Sequence, residues 1–173
     1  MIDTLMKRKS VRTYTGESIT DEELSIILKA ADASPVGLKQ YEILHLTIIT
    51  NKELLDKIES ITGKLFNNSD IKRLYGAPMF ILISSKNMPN MQNVMYSNAA
   101  IMSHNISLAA TSLNIGSCYI WGATAAISKD SEFLKELNLP EDFIPCCGVI
   151  LGKTNETFDE REIPDRITKS YIK

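Results

Sequence analysis

The stretch MQNVMYSNAAIMSHNISLAATSLN, residues 91–114, predicts one long helix whose apolar residues spread around most of its circumference. A helix that is apolar on nearly every side is buried on nearly every side. Because a small domain does not surround such a helix alone, the sequence predicts that a second subunit covers part of it. His104, inside this stretch, is expected to be a core histidine, and Gly116 is expected to stop the helix.

Shorter predicted elements flank this helix on both sides. Thr20 and Glu23 form a capping-box pattern at the start of an amphipathic helix. The alternation of helices and strands predicts one α/β or α+β domain over residues 1–173. Residues 153–173 are polar without a clear period, and we expect this tail to wrap over another part of the protein. The predicted helices are 3–9, 19–34, 52–65, 122–127 and 131–137, and the predicted strands are 43–50, 79–85, 117–121 and 146–152.

Length, charge and cysteine content exclude several classes of protein. The chain has 173 residues, which suits one domain, and a net charge of −2, which gives no field to attract nucleic acid or an anionic membrane. No apolar run reaches the roughly 18 residues of a membrane span, and the N-terminus lacks a signal-peptide pattern. Three cysteines without a CxxC pair, and two histidines, argue against zinc. We therefore expect a cytoplasmic protein with reduced thiols, no metal, and neither nucleic acid nor membrane as partner.

A cluster of positive charge stands near the start of the chain, around RKSVRTY, residues 8–14. Lys7, Arg8, Lys9 and Arg12 place four cations within six positions. Such a cluster suits a small anion, because arginine offers a fork of donors to phosphate oxygens and lysine a point charge. A solvated charged turn is the alternative. Since no glycine-rich phosphate-binding motif is present, side-chain cations must hold the phosphate of any nucleotide-like cofactor.

Two loops are further candidates for a ligand site. SPVGLKQY, residues 34–41, joins a helix to a strand, and its Gly37 permits close backbone approach to a flat ligand. IWGATAAI, residues 120–127, carries the one tryptophan at a strand end, where ligands bind in α/β proteins. A plain connecting loop and a core tryptophan in a turn are the respective alternatives. No catalytic triad or metal cluster is visible in the sequence, which is typical of proteins whose chemistry belongs to a cofactor.

Taken in order, these stretches resemble the nitroreductase family of flavin enzymes over nearly the whole chain. RKSVRTY resembles the family's Arg-x-Ser-x-Arg-x-aromatic opening, and SPVGLKQY resembles its proline-containing loop, with Leu38-Lys39 where an asparagine is usual. The strands ILHLTII and GAPMFILI, the helix NAAIMSHNISLAATSLN, and CGVILGK before an arginine-bearing tail follow in the same order. The resemblance implies an α+β, three-layer fold with a central, mostly antiparallel sheet flanked by helices, in a domain-interleaved homodimer.

The resemblance also implies FMN bound at the subunit interface and assigns its contacts to four parts of this chain. The basic cluster grips the phosphate and ribityl chain, and Arg12 lies near the pyrimidine ring. Loop 35–37 packs on the isoalloxazine from the other subunit, and a backbone N–H within 120–122 points at flavin N5. Arg166, in the tail, closes over the phosphate. The implied FMN-binding residues are Arg8, Lys9, Ser10, Arg12, Pro35, Val36, Gly37, Ile120, Trp121, Gly122 and Arg166.

The function that the resemblance implies is that of an FMN-dependent NAD(P)H oxidoreductase. Such an enzyme reduces nitroaromatics, quinones or related small acceptors by a ping-pong transfer of hydride through flavin N5. Two alternatives stay open from the sequence. One is a flavin-binding sensor or carrier of the same fold without NAD(P)H turnover, and the other is an unrelated α/β interaction protein without a cofactor.

Overall fold

The protein is described by a computed structural model that covers residues 2–70 and 72–173, and in these ranges four strands form one sheet with helices on both faces. The strands are β1 (Leu44–Ile49), β2 (Met79–Lys86), β3 (Gly116–Ile120) and β4 (Phe143–Gly152). The helices are α1 (Ile2–Lys7), α2 (Asp21–Asp32), α3 (Lys52–Leu65), α4 (Gln92–Ser112), α5 (Gly122–Lys129) and α6 (Ser131–Glu136).

The sheet has the strand order β1-β2-β4-β3, and every neighbouring pair is antiparallel. β2 and β4 occupy the centre, which explains why both are nearly continuous apolar runs, because central strands are covered on both faces. Residues 79–85 of β2 and 145–152 of β4 are all buried. The predicted α+β class with an antiparallel central sheet is confirmed.

Two hydrophobic clusters fill the spaces on either side of the sheet. Alternate residues of β2 divide between them, with Ile81 and Ile83 in one cluster and Phe80 and Leu82 in the other. The first cluster includes residues of α2 and α4, and the second includes residues of α3, α5 and α6. The molecule therefore has the three layers that the resemblance predicts.

Helix α4 lies across the first face of the sheet but is not buried all round within one chain. Its side facing the sheet is buried, whereas Tyr96 is 47% exposed and Ile101 is 39% exposed on the opposite side. His104 lies on that exposed side as well, so the prediction of a core histidine is wrong. One chain thus leaves an apolar stripe of α4 open, as the all-round apolar pattern predicts for a helix that one domain cannot cover. None of the helices in the described ranges combines the length and hydropathy that crossing a membrane requires.

The end of α4 is set by Asn114 and not by Gly116. α4 ends at Ser112, and Asn114 has a φ of 55°, in the left-handed region that asparagine tolerates better than most residues. Gly116 opens β3, where a Cβ atom would lie 2.9 Å from the Tyr14 ring and 3.0 Å from Val11. The prediction that Gly116 stops the helix is therefore wrong. Glycine is required there because the N-terminal segment packs directly on the strand.

The loop that follows α2 is fastened to α4 by two asparagine side chains. The Gly37 N–H donates to Asn98 Oδ1 at 3.1 Å, and Asn105 Nδ2 donates to Ser34 Oγ at 2.9 Å. Asn98 and Asn105 stand two turns apart, so both present their amides on one side of α4. The predicted capping box at Thr20 starts α2. The loop position is consequently set by α4 rather than by the loop's own sequence.

The tail after β4 runs back along the N-terminal segment and then leaves the body of the chain. Residues 153–173 form no helix or strand, and every residue from 159 onward is exposed. Arg161 Nε donates to the Met6 carbonyl at 3.0 Å, and the same guanidinium donates to the Arg8 carbonyl. The apolar side chains Ile163, Ile167, Tyr171 and Ile172 are exposed in the single chain.

We expect Gly148→Ala to lower the free energy of unfolding by about 1–3 kcal/mol, because the added Cβ would overlap the buried Phe80 ring beneath the centre of β4. Phe80→Leu should make room for it, so the double variant should be more stable than the sum of the two single changes predicts. Urea denaturation of the four proteins measures both effects. Strict additivity would contradict the proposed contact.

We expect Asn98→Ala to release the loop at Gly37, because it removes the acceptor of the Gly37 N–H. A lost buried hydrogen bond of about 1–3 kcal/mol corresponds to roughly 5- to 150-fold faster exchange of that amide with solvent. Hydrogen exchange followed by NMR measures it directly. Asn105→Ala is the matched control, since it frees Ser34 while leaving the Gly37 acceptor in place. Equal exchange at Gly37 in both variants would show that Asn98 does not hold the loop.

Candidate functional site

Two adjoining cavities open at the β3 edge of the sheet, and Cys118 and Tyr119 line both of them. The first, which we call the α4 cavity, has a volume of about 230 Å³; the second, the β3 cavity, has about 290 Å³. The α4 cavity is lined by Arg8, Ala100, Ser103, His104, Ser107, Cys118 and Tyr119. The β3 cavity is lined by Arg12, Phe66, Arg73, Tyr75, Cys118, Tyr119, Ile120, Trp121 and Gly122.

The N-terminal segment places its cations at these cavities because it is anchored to the sheet between them. The Val11 N–H donates to the Ser117 carbonyl at 2.9 Å, and the Val11 side chain is fully buried. Tyr14 turns inward too, and its hydroxyl donates to the Val11 carbonyl at 2.9 Å. With these two side chains facing the protein, Arg8 and Arg12 reach the α4 cavity and the β3 cavity respectively.

The predicted residues of the basic cluster are not equally available for a ligand. Lys9 Nζ lies 2.8 Å from a carboxylate oxygen of Glu156, and this hydrogen bond holds the pKa of Glu156 below its usual range. The Arg12 guanidinium lies 5.8 Å from the centre of the Tyr75 ring and faces the β3 cavity. Ser10 is exposed between them. Within the basic cluster, Arg8 and Arg12 are therefore the cations that line the cavities, while the charge of Lys9 is partly balanced.

Burial is the main cause of the pKa shifts of two groups at the cavities, and the charges of the nearby arginines have a smaller effect on both. Burial lowers the pKa of His104, and the charge of Arg8 lowers it further. Burial raises the pKa of the Cys118 thiol, although Arg12, a hydrogen bond with Ser10, and Arg8 oppose that rise. At neutral pH the thiol is accordingly protonated and is no nucleophile. The arrangement suits the binding of an anion far better than covalent catalysis.

Aromatic side chains form the walls of the β3 cavity. Trp121 directly follows β3 and is 63% exposed, so it is not a core tryptophan. Phe66 lines the same cavity next to Gly122, where an added Cβ would lie 3.3 Å from the Phe66 ring. The Arg73 guanidinium lies 5.4 Å from the centre of the Phe66 ring. Flat apolar faces with a cation close by suit a planar ring that carries negative charge.

Several lining residues escaped the sequence analysis. Phe66 directly follows α3, and Arg73 and Tyr75 directly precede β2 in the run RLYGAP. Exposed aromatic and basic residues at the ends of elements were the available signal, but they are common on protein surfaces. His104 was missed because its helix is apolar on both sides of it in the sequence.

Four predicted residues lie away from the two cavities in the single chain. Pro35, Val36 and Gly37 belong to the loop held by Asn98 on α4, and they are not among the residues that line either cavity. Arg166 is exposed in the tail and likewise does not line them. The structure brings together the other seven: Arg8, Arg12, Ile120, Trp121 and Gly122 line the cavities, and Lys9 and Ser10 lie between the two arginines in the sequence.

A larger cavity of about 520 Å³ lies elsewhere, between α3 and the segment before β2. Its charged lining includes Lys52, Asp56, Glu59 and Lys72. Lys52 pairs with Asp56, and Glu59 accepts the backbone N–H groups of Arg73 and Leu74 at 2.7 and 2.8 Å. Three of these four charged side chains thus form ion pairs or hydrogen bonds within the protein. The cavity is larger, but it offers a ligand fewer free charges than the two cavities at the β3 edge, which we therefore favour as the functional site.

Known proteins share both the sequence pattern and the architecture of this chain. The sequence model of the nitroreductase family matches residues 5–153. An FMN reductase (NADPH) from Bacillus subtilis is 23% identical over 166 residues, which span 87% of this chain and 64% of that protein.

Two solved structures are similar over nearly their full length. A nitroreductase with bound FMN from Desulfitobacterium hafniense is 26% identical with a TM-score of 0.86, covering 99% of this chain and 97% of that one. A nitroreductase with bound FMN from Bacteroides fragilis is 28% identical with a TM-score of 0.81, covering 98% of each chain. The cation-bearing segment, the β3 edge and the three layers thus fall within the matched region, and the chain belongs to the nitroreductase family.

Proposed function

We propose that this chain binds FMN and uses NAD(P)H to reduce small acceptors such as nitroaromatics or quinones. The observation that carries the proposal is the pair of cavities at the β3 edge, into which one anchored segment sends Arg8 and Arg12. FMN bound in the two neighbouring structures, and the FMN reductase among the relatives, support the choice of cofactor.

The residues present at the two cavities fit FMN in chemistry. A phosphate needs cationic and N–H donors, which Arg8 and Ser10 offer, with Lys9 shared with Glu156. A flat ring needs apolar faces, which Trp121 and Phe66 offer in the β3 cavity. These requirements are met in neighbouring cavities of one chain, which is the arrangement that a ligand with a phosphate at one end and a ring at the other demands.

The chemistry of the proposed reaction belongs to the cofactor, and the chain supplies charge and position. Bound FMN would supply the hydride-transfer chemistry between NAD(P)H and the acceptor, in a ping-pong cycle through its N5 atom. Arg12 would stabilise negative charge on the ring, since its guanidinium faces the β3 cavity. The backbone of Ile120, Trp121 and Gly122 would hold the N5 edge. Water completes the protonation of the product, so no side chain is needed as a proton donor.

We further propose that residues 1–173 form one FMN-binding domain that works as a domain-interleaved homodimer. The exposed apolar stripe of α4 and the exposed apolar tail are surfaces that a second copy would cover. Pro35, Val36 and Gly37 lie outside the cavities that Arg8 and Arg12 line, and a partner chain would bring its copy of this loop to the ring. Arg166 would close the phosphate end in the same assembly. Three unpaired, buried cysteines suit a reducing compartment, and we place the enzyme in the cytoplasm.

The visible absorption spectrum of the purified protein tests the proposal first. After FMN is added and the excess removed, we expect the bands of oxidised flavin to remain with the protein. NADH or NADPH added without oxygen should bleach them, and a nitroaromatic or quinone should restore them. A retained flavin that neither nucleotide bleaches would identify a binding module without turnover. A colourless protein would refute the proposed cofactor.

We expect Arg8→Ala to weaken FMN binding by about 10- to 100-fold, because a charge-assisted hydrogen bond to phosphate contributes about 1–3 kcal/mol. Riboflavin lacks the phosphate, so its affinity should stay within a factor of about two. Lys7→Ala is the matched control, since it removes the same charge one residue away. Fluorescence titration measures all the affinities. If both variants weaken FMN binding equally, Arg8 acts only through its positive charge and does not contact the phosphate.

A further inference from the structure

The α4 cavity contains two nitrogen-bearing side chains, Arg8 and His104, that face the same space. Its volume of about 230 Å³ is roughly eight times the ~30 Å³ that one water occupies in the liquid, which accommodates a phosphate-sized anion. The family resemblance assigns Arg8 to the FMN phosphate and gives His104 no contact with the cofactor. His104 lies on the exposed side of α4, so its imidazole is accessible from the cavity.

The serine hydroxyls of the same cavity are already committed as donors. Ser103 Oγ donates to the Ala100 carbonyl at 2.8 Å, and Ser107 Oγ donates to the Ser103 carbonyl at 3.0 Å. Their remaining lone pairs accept hydrogen bonds and so do not attract an anion. The donors left for an anion are the Arg8 guanidinium, the His104 imidazole and the Tyr119 hydroxyl.

Charged and titratable groups are carried by the elements that pack on α4 and by the segment that lines the cavity. Helix α2, which packs on α4, carries Asp21, Glu22, Glu23, Lys29 and Asp32, and β2 carries Lys86 at its end. Helix α1, which packs on α4, carries Asp3 and Lys7, and the segment after it carries Arg8. β3 contributes Cys118 and Tyr119, and β4 contributes Cys147, whose thiol bonds the Ala99 carbonyl of α4 at 3.4 Å. α4 itself has no Asp, Glu, Lys or Arg. Of these groups, only Arg8 lowers the pKa of His104 by its charge, so the two side chains interact electrostatically.

We infer that His104 is a second donor to the anion that Arg8 binds, and that binding of the anion brings a proton from solvent onto the His104 imidazole. The inference rests on the proposed function in that the anion is the phosphate of FMN. His104 would then be a further cofactor-binding residue that makes the affinity for FMN depend on pH.

The direction of the pH dependence follows from the charges. Without an anion, burial and Arg8 hold the pKa of His104 below its usual range, so the imidazole is mostly neutral at pH 7. A phosphate dianion next to both groups offsets the charge of Arg8 and raises the pKa of His104. At pH values between the pKa of His104 in the free protein and its pKa in the complex, binding of the phosphate is accompanied by uptake of up to one proton. Affinity therefore rises as the pH falls, by at most about tenfold per pH unit.

NMR of the histidine rings tests the inference without the cofactor. The chain has two histidines, so His104→Gln and His45→Gln assign both signals. His45 lies on β1, where its ring centre is 6.2 Å from that of Phe143, and it serves as the internal control. Inorganic phosphate should raise the pKa of His104 and leave the ring signals of His45 in place. Equal shifts at both, or none at His104 under saturating phosphate, would overturn the inference.

Calorimetry of FMN binding tests the same inference with the cofactor itself. At pH 6.5, FMN binding in two buffers of different ionisation enthalpy should show proton uptake that is smaller in His104→Gln. The variant should lose more affinity for FMN at pH 6 than at pH 8, and comparison at each pH cancels the titration of the phosphate itself, whose second pKa is about 6. Riboflavin should bind both proteins alike.

The two proposals fail in different ways. If FMN binds but His104→Gln changes neither the proton uptake nor the pH profile, His104 has no part in binding and the flavin assignment stands. If FMN does not bind while phosphate still raises the pKa of His104, the anion site stands and the flavin assignment falls. Equal loss of riboflavin and FMN affinity in His104→Gln would show a structural role and would overturn the inference.

Discussion

The packing of α4 against the central strands β2 and β4 is the constraint on which the rest of the structure depends. One side of the helix fills the first hydrophobic cluster with Met95, Ala99, Met102 and Ile106. Because that side is fixed, Asn98 and Asn105 must point at the loop after α2 and hold it there. His104 and Tyr96 must then point away from the sheet, toward a cavity and an open surface. The packing of this one helix thus fixes the positions of the loop, the cavity wall and the exposed apolar stripe.

The second constraint is the anchoring of the N-terminal segment on the β3 edge. Because Val11 and Tyr14 both face the protein, Arg8 and Arg12 are left at the two cavities. Gly116 permits this approach because any side chain there would meet Val11 and Tyr14. The positive charge at the two cavities is therefore a consequence of backbone packing, in a chain whose net charge is −2.

Much of the fold was predictable because local signals agreed with tertiary needs. The capping box at Thr20, the apolar runs of β2 and β4 and the spacing of α3 each specify one element, and each lies where the pattern indicated. The errors arose where two structures satisfy the same pattern. A glycine after a helix usually ends it, but here Asn114 does so while Gly116 serves packing. A histidine within an apolar helix usually packs in the core, but His104 falls on the side that the sheet does not cover.

By itself the sequence determined the class of fold, the order of its elements and the segment that carries positive charge. These features depend on the periodicity of apolar residues and on neighbours in the chain. The tertiary structure alone decided that Lys9 is paired with Glu156, that Phe66, Arg73 and Tyr75 join Trp121 in one cavity, and that His104 faces Arg8. Those contacts join residues far apart in the sequence, and their geometry is fixed only when the helices pack on the two faces of the sheet.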